Sequence, residues 1–186
     1  MEGFEIRFSG AGGQGLQLCA GIFSQALLSD GWKVSFSQSY EPTSRGGLSR
    51  SDLVVSRETA DYPLATSLDY LLILDQAAAD VSNDLINSDT LMIYDPRRVT
   101  EPPKGSQRSV ALPLSETAIG LGSERVTNVV ACAALAEAGG MVELSIIEAA
   151  LRDVSPPKFL NLNIKALMAG AGLVQSSEEA EKRGAA

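Results

Sequence analysis

The chain has 186 residues, 45% of them hydrophobic and 20% charged, and a formal net charge of -8. That length suits one domain with a sizeable core, and that balance excludes a chain too polar to fold. The acidic surplus argues against nucleic acid as a main partner, because a phosphate backbone needs clustered Lys and Arg, whereas a small anion needs only a local positive field.

No apolar run reaches the length of a membrane span, and no basic-then-apolar leader precedes the first strand. Cys19 and Cys132 are the only cysteines, and both fall in apolar, helix-like segments. Two isolated thiols make neither a disulfide framework nor an iron–sulfur ligand set, which fits a reducing cytoplasm. Histidine is absent, which removes the commonest general base and most zinc sites. No catalytic residue and no metal ligand is expected.

In chain order, residues 5–9 read as a first strand, and Gly10 to Gly15 as a glycine-rich turn. Leu16, Cys19, Ala20, Phe23, Ala26 and Leu27 then recur at helical spacing, ending at Gly31. Residues 33–37 read as a second strand, so the unit is strand, turn, helix, strand, suited to a βαβ crossover. A polar stretch over 38–50 leads to a third strand at 51–56. The apolar run 69–75 has the length of a central strand. A helix over 76–85, a strand over 90–95 and a short strand at 109–113 follow. Helices are expected over 128–137, 144–151 and 159–173, and residues 176–186 as a flexible tail. The predicted fold is α/β and Rossmann-like: one domain over 1–175, a mainly parallel sheet with helices on both faces, and a helical C-terminal cap.

Gly10, Gly12 and Gly15 fit the G-x-G-x-x-G pattern between a strand and a helix. Glycines permit a tight turn, and the helix start offers free N–H groups and a partial positive charge to a phosphate. The same glycines also serve simply to let helix and sheet pack closely. A dinucleotide site needs an acidic residue closing the second strand, and residues 35–39 have none, with Glu41 lying beyond. The second feature is the segment from Ser39 to Gly47. Arg45 beside Gly46 and Gly47 suits an anion or a partner chain, and the two loops are expected at one sheet edge. Asp75, Asp95, Arg97 and Arg98 read as turn residues.

Together these segments resemble the 2-oxoacid:ferredoxin (acceptor) oxidoreductase gamma subunits. Gly10-Ala11-Gly12-Gly13-Gln14-Gly15 resembles that family's first signature. Residues 38–42, Arg45-Gly46-Gly47 and Ser49-Arg50-Ser51-Asp52 resemble its second. Asp61-Tyr62-Pro63, Asp69-Tyr70-Leu71 and Asn128 match later positions. The Ser39-Tyr40 version resembles the 2-oxoglutarate branch, with Glu41 standing where a glycine is expected.

The resemblance implies a multi-subunit enzyme that oxidatively decarboxylates a 2-oxoacid to an acyl-coenzyme A and passes electrons to ferredoxin. It implies thiamine diphosphate, magnesium and iron–sulfur clusters on alpha, beta and, as a further candidate, ferredoxin-like delta subunits. It makes this chain accessory and inactive alone. Gly10, Gly12, Gly13, Gln14, Gly15, Ser39, Arg45, Gly46 and Gly47 are then the candidates for placing coenzyme A. An isolated chain is expected to self-associate. The competing readings are a free-standing nucleotide-binding oxidoreductase and a non-catalytic interaction module.

Overall fold

The computed structural model describes residues 2–41, 46–105 and 107–184. Among these residues six strands, β1 (Gly3–Ala11), β2 (Lys33–Tyr40), β3 (Leu48–Ser56), β4 (Leu68–Ile73), β5 (Ile86–Tyr94) and β6 (Arg108–Ala111), form one sheet. Their order is β2-β3-β1-β4-β5-β6. Strand β3 is antiparallel to both neighbours, and the β1–β4, β4–β5 and β5–β6 pairs are parallel. Five strands therefore run one way, as expected of a mainly parallel sheet. The α-helices are α1 (Leu16–Ser29), α2 (Leu114–Gly120), α3 (Thr127–Gly139), α4 (Leu144–Val154) and α5 (Pro157–Gly184).

The period-2 alternation of β1 sends Phe4, Ile6 and Phe8 to one side and Glu5, Arg7 and Ser9 to the other. All five α-helices share an apolar cluster with Phe4, Ile6 and Phe8. On the opposite side Leu68, Leu71, Ile73 and Met92 pack with Ala78, Ala79 and Val99. The expected helices on both faces are thus α-helices on the first and 3-10 turns on the second. Helix α3 is central, with Asn128 to Ala136 all buried. Helix α5 crosses it so closely that a Cβ at Gly170 would strike the Val130 carbonyl.

Four segments differ from the sequence reading. The polar stretch 38–50 is strand at both ends, because β2 continues to Tyr40 and β3 starts at Leu48, with Tyr40 paired to Ser49. Its side chains are exposed over 38–41 and half-buried over 47–50, with neither end buried, so the backbone pairing leaves no apolar alternation to read. The helix expected over 76–85 is two 3-10 turns, Gln76–Ala78 and Asn83–Leu85. Asp75 accepts the Ala77 N–H at 3.1 Å, and the intervening Asp80, Ser82 and Asn83 favour such local turns over a continuous helix. Helix α2 was not anticipated, and α5 runs to Gly184, so residues 176–184, expected within a flexible tail, are helical. Strand β2 also does not neighbour β1: β3 sits between them, so the strand–helix–strand unit is split.

A buried ion pair holds β3 in that place. Arg7 and Asp52 stand directly opposite in register. The guanidinium donates through Nε to Asp52 Oδ1 at 2.8 Å and through Nη2 to Oδ2 at 2.7 Å, while Nη1 donates to Ser82 Oγ at 3.2 Å. Both residues are 3% exposed. Removing one member strands the other charge in the interior. Arg7→Met is therefore expected to cost about 3–5 kcal/mol in urea denaturation, and the double variant Arg7→Met/Asp52→Leu clearly less. Equal losses in the two would show that the charge itself is not what is held there.

Candidate functional site

The turn after β1 is built by left-handed glycines: Gly13 at φ 92° and Gly15 at φ 77°, conformations that other residues rarely adopt. Gln14 fixes the turn from within. Its Oε1 accepts the Ala11 N–H at 2.8 Å, and its Nε2 donates to the Leu74 carbonyl at 3.1 Å and more weakly to Asp75 Oδ2 at 3.4 Å. Gly15 opens α1, which has no side-chain cap and no acidic residue in its first turn. The helix start is therefore an uncompensated positive end.

The β2–β3 hairpin reaches this turn from the other side. The Gly12 N–H donates to the Gly47 carbonyl at 2.8 Å. Glu41 closes the hairpin: its backbone N–H donates to the Leu48 carbonyl at 3.0 Å, and its Oε2 accepts the Leu48 N–H at 3.3 Å. The expected approach of the two loops is thus met at Gly47. Between them lies a cleft of about 540 Å³. Gly12, Gly13, Gly15, Ser39, Gly46 and Gly47 line it.

Gly10 and Gln14 do not reach that cleft. Gly10 lies beneath the turn, where a Cβ would meet the Gln14 amide and Leu74. Gln14 faces the β4 side. Arg45 falls outside the described residues. A cation that sequence reasoning left without a role does line the cleft: Arg50, half-buried and without an ion-pair partner among the described residues. It lies opposite both Ser9 and Ser39 in the ladder. Its signal was the Ser49-Arg50-Ser51-Asp52 segment, whose register became informative only once that segment was known to be a strand.

Asn128 ties the turn to α3. Its Nδ2 donates to the Gly15 carbonyl at 3.4 Å, and its own backbone carbonyl accepts from Cys19 Sγ at 3.4 Å. Both cysteines are buried, and burial pushes the Cys132 thiol well up. Two buried thiols do not fit an iron–sulfur cluster, which takes four. On the exposed rim, the Arg98 guanidinium pairs with Glu124 and lowers its carboxyl.

A glycine turn opening a helix at the carboxyl edge of a mainly parallel sheet, with Arg50 beside it, marks an α/β protein of Rossmann-like type. The chain belongs to the pyruvate ferredoxin/flavodoxin oxidoreductase family, whose sequence model matches residues 5–173. It is a gamma subunit of a 2-oxoacid:ferredoxin oxidoreductase, and so part of an oxidoreductase complex.

The 2-oxoglutarate synthase subunit KorC of Methanothermobacter marburgensis is 34% identical over 183 residues, which span 94% of this chain and 98% of that one. The keto/oxoacid ferredoxin oxidoreductase gamma subunit of Geobacter sulfurreducens has a solved structure with TM-score 0.82 and 35% identity, covering 93% of this chain and 99% of that one. The 2-oxoglutarate:ferredoxin oxidoreductase of Magnetococcus marinus, solved with 2-oxoglutarate, coenzyme A and succinyl-CoA bound, shares the fold at TM-score 0.84. It is 22% identical, and the match covers 95% of this chain and 32% of that one. No described helix is long and apolar enough to cross a membrane.

Gly13 and Gly15 both have positive φ, yet a Cβ at Gly13 meets nothing within 4 Å while one at Gly15 runs into the Asn128 side chain. Gly15→Ala is therefore expected to lower the melting temperature more than Gly13→Ala, whose cost is the backbone strain of about 1–2 kcal/mol alone. Equal melting temperatures would mean that Asn128 simply moves aside.

Proposed function

We propose that this chain serves a complex that oxidatively decarboxylates 2-oxoglutarate, and that its hairpin-side cleft helps to place coenzyme A. The observation that carries the reading is the joining of the glycine turn to the β2–β3 hairpin through Gly12 and Gly47, around a cleft lined by Arg50, which has no ion-pair partner among the described residues. Coenzyme A carries phosphates, and an uncapped helix start beside a guanidinium attracts them on an otherwise acidic protein. Gly12, Gly13, Gly15, Gly46 and Gly47 supply close backbone approach, Ser39 a hydroxyl, and Arg50 together with Arg45 the charge. Gly10 and Gln14 act by holding the turn. The 2-oxoglutarate assignment rests on the near full-length similarity to the methanogen subunit and on the Ser39-Tyr40 segment.

In this reading the carbon chemistry of thiamine diphosphate with magnesium, and the electron transfer of iron–sulfur clusters, belong to alpha, beta and ferredoxin-like delta subunits. Ferredoxin is the acceptor, and the complex works in the cytoplasm. Residues 1–175 act as one domain and 176–186 as its appendage. The isolated chain is inactive and self-associates, because a subunit shaped to bury surface against partners leaves apolar area to cover. A free-standing nucleotide-dependent enzyme is not favoured: Glu41, the nearest carboxylate to the end of β2, is engaged in closing the hairpin.

In the assembled enzyme, Arg50→Ala is expected to raise the KM for coenzyme A about ten- to a hundredfold while kcat and the KM for the 2-oxoacid hold, since a charge-assisted hydrogen bond is worth about 1.5–3 kcal/mol. Arg45→Ala is expected to do the same or to loosen assembly. If both variants assemble normally with unchanged kinetics, the cleft does not hold coenzyme A. Turnover of 2-oxoglutarate by the isolated chain, supplied with thiamine diphosphate, coenzyme A and a viologen dye, would overturn the accessory role.

A further inference from the structure

The glycine turn has a second side. Strand β1 leads through α1 toward β2 at one end of the sheet, whereas its parallel neighbour β4 leads toward β5 and the opposite end. The gap between the loops after β1 and β4 is therefore the point where the sheet's connections reverse. Open α/β sheets bind ligands in that crevice, at the carboxyl ends of the strands. A cleft of about 360 Å³ occupies it, separate from the hairpin-side cleft and divided from it by Gly13 and Gly15.

Three independent features make this cleft fit an anion. One long helix starts at it: Gly15 precedes α1, which has no side-chain cap and no acidic residue in its first turn. Ser115 lines it, is 1% exposed, and its Oγ has no hydrogen-bond partner among the described residues. Arg125 lines it, is exposed, and has no ion-pair partner among the described residues.

The nearby carboxylates are already engaged. Glu124 pairs with Arg98, Asp75 accepts the Ala77 N–H, and Asp95 accepts the N–H groups of Arg97 and Ser115. Their charge still opposes an anion, most directly that of Glu124, which lines the cleft, and Arg98, Arg125 and the start of α1 must outweigh it. We propose that this switch-point cleft binds a phosphate group, with Arg125 as its cation, Ser115 as hydroxyl donor and the glycine turn into α1 as backbone donor. Nothing in the coenzyme A reading of the hairpin-side cleft requires this site.

The test is an amide NMR titration of the full chain with inorganic phosphate and, separately, with adenosine 3′,5′-bisphosphate, reading Ser115, Thr127 and Asn128 against Gly46 and Gly47. Saturable shifts at Ser115, Thr127 and Asn128 are expected. Arg125→Ala should weaken them about tenfold or more, the worth of one charge-assisted contact. Ser115→Ala, a small change in a helix, should weaken them to a lesser degree, and Arg50→Ala should leave them intact. A response to bisphosphate alone identifies a nucleotide-borne phosphate; an equal response to both identifies the free ion. The proposal is overturned if those three amides do not shift at millimolar ligand, or if their titration survives Arg125→Ala or disappears in Arg50→Ala. Shifts confined to Gly46 and Gly47 would overturn it while leaving the hairpin-side reading standing.

Discussion

The placement of the antiparallel strand β3 rests on the pairing of Arg7 with Asp52. A strand inserted between β1 and β2 must carry its polar face through the interior of the sheet, and a lone carboxylate there would be strongly disfavoured. The bidentate guanidinium, itself held by Ser82, satisfies that carboxylate and sets the register in which Ala11 stands opposite Leu48. A slip of one residue would turn Asp52 toward the apolar helices and break the pair. The same register brings Gly47 to Gly12, so the approach of hairpin and glycine turn follows from a contact several residues deeper in the sheet.

The helical layer adds a second constraint. Helix α3 is apolar on every side, so it is held by neighbours rather than by an amphipathic stripe. Gly170 lets α5 approach its backbone, and Asn128, near its start, is buried against the glycine turn. The position of the turn is therefore set from three directions: by β4 through Gln14, by α3 through Asn128, and by the hairpin through Gly47. Such a turn holds its shape without a ligand, which keeps the ordering cost of binding low.

Much of this was legible in the sequence. The alternation in β1, the helical spacing from Leu16 to Leu27 and the apolar run at 69–75 each carry their periodicity openly. The glycine turn was legible because its conformation demands glycine at Gly13 and Gly15. The insertion of β3 was not, because strand order depends on long-range pairing, and the exposed end of β2 and the half-buried start of β3 are serine-rich. Hence Arg50 carries no signal of its own in the sequence, and the bracing of the turn by Gln14 is visible only once β4 is known to lie beside it. The 3-10 turns after β4 were hidden for a different reason: Ala77, Ala78 and Ala79 favour a helix, and the Asp75 side chain, with Asp80, Ser82 and Asn83 downstream, redirects the backbone locally.

The glycine turn is a wall shared by two clefts, one facing the hairpin and one facing β4. A shared wall is a thermodynamic link. If an occupant on one side shifts Gly13 or Gly15 even slightly, the affinity on the other side changes by some factor, and the reverse influence has the same factor. Gln14 spans that wall, joined to Ala11 on one strand and Leu74 on the next, so its stiffness sets how strongly the two sides sense each other. A segment that reads as a simple binding loop thus has the geometry of a lever between two compartments of the same sheet edge.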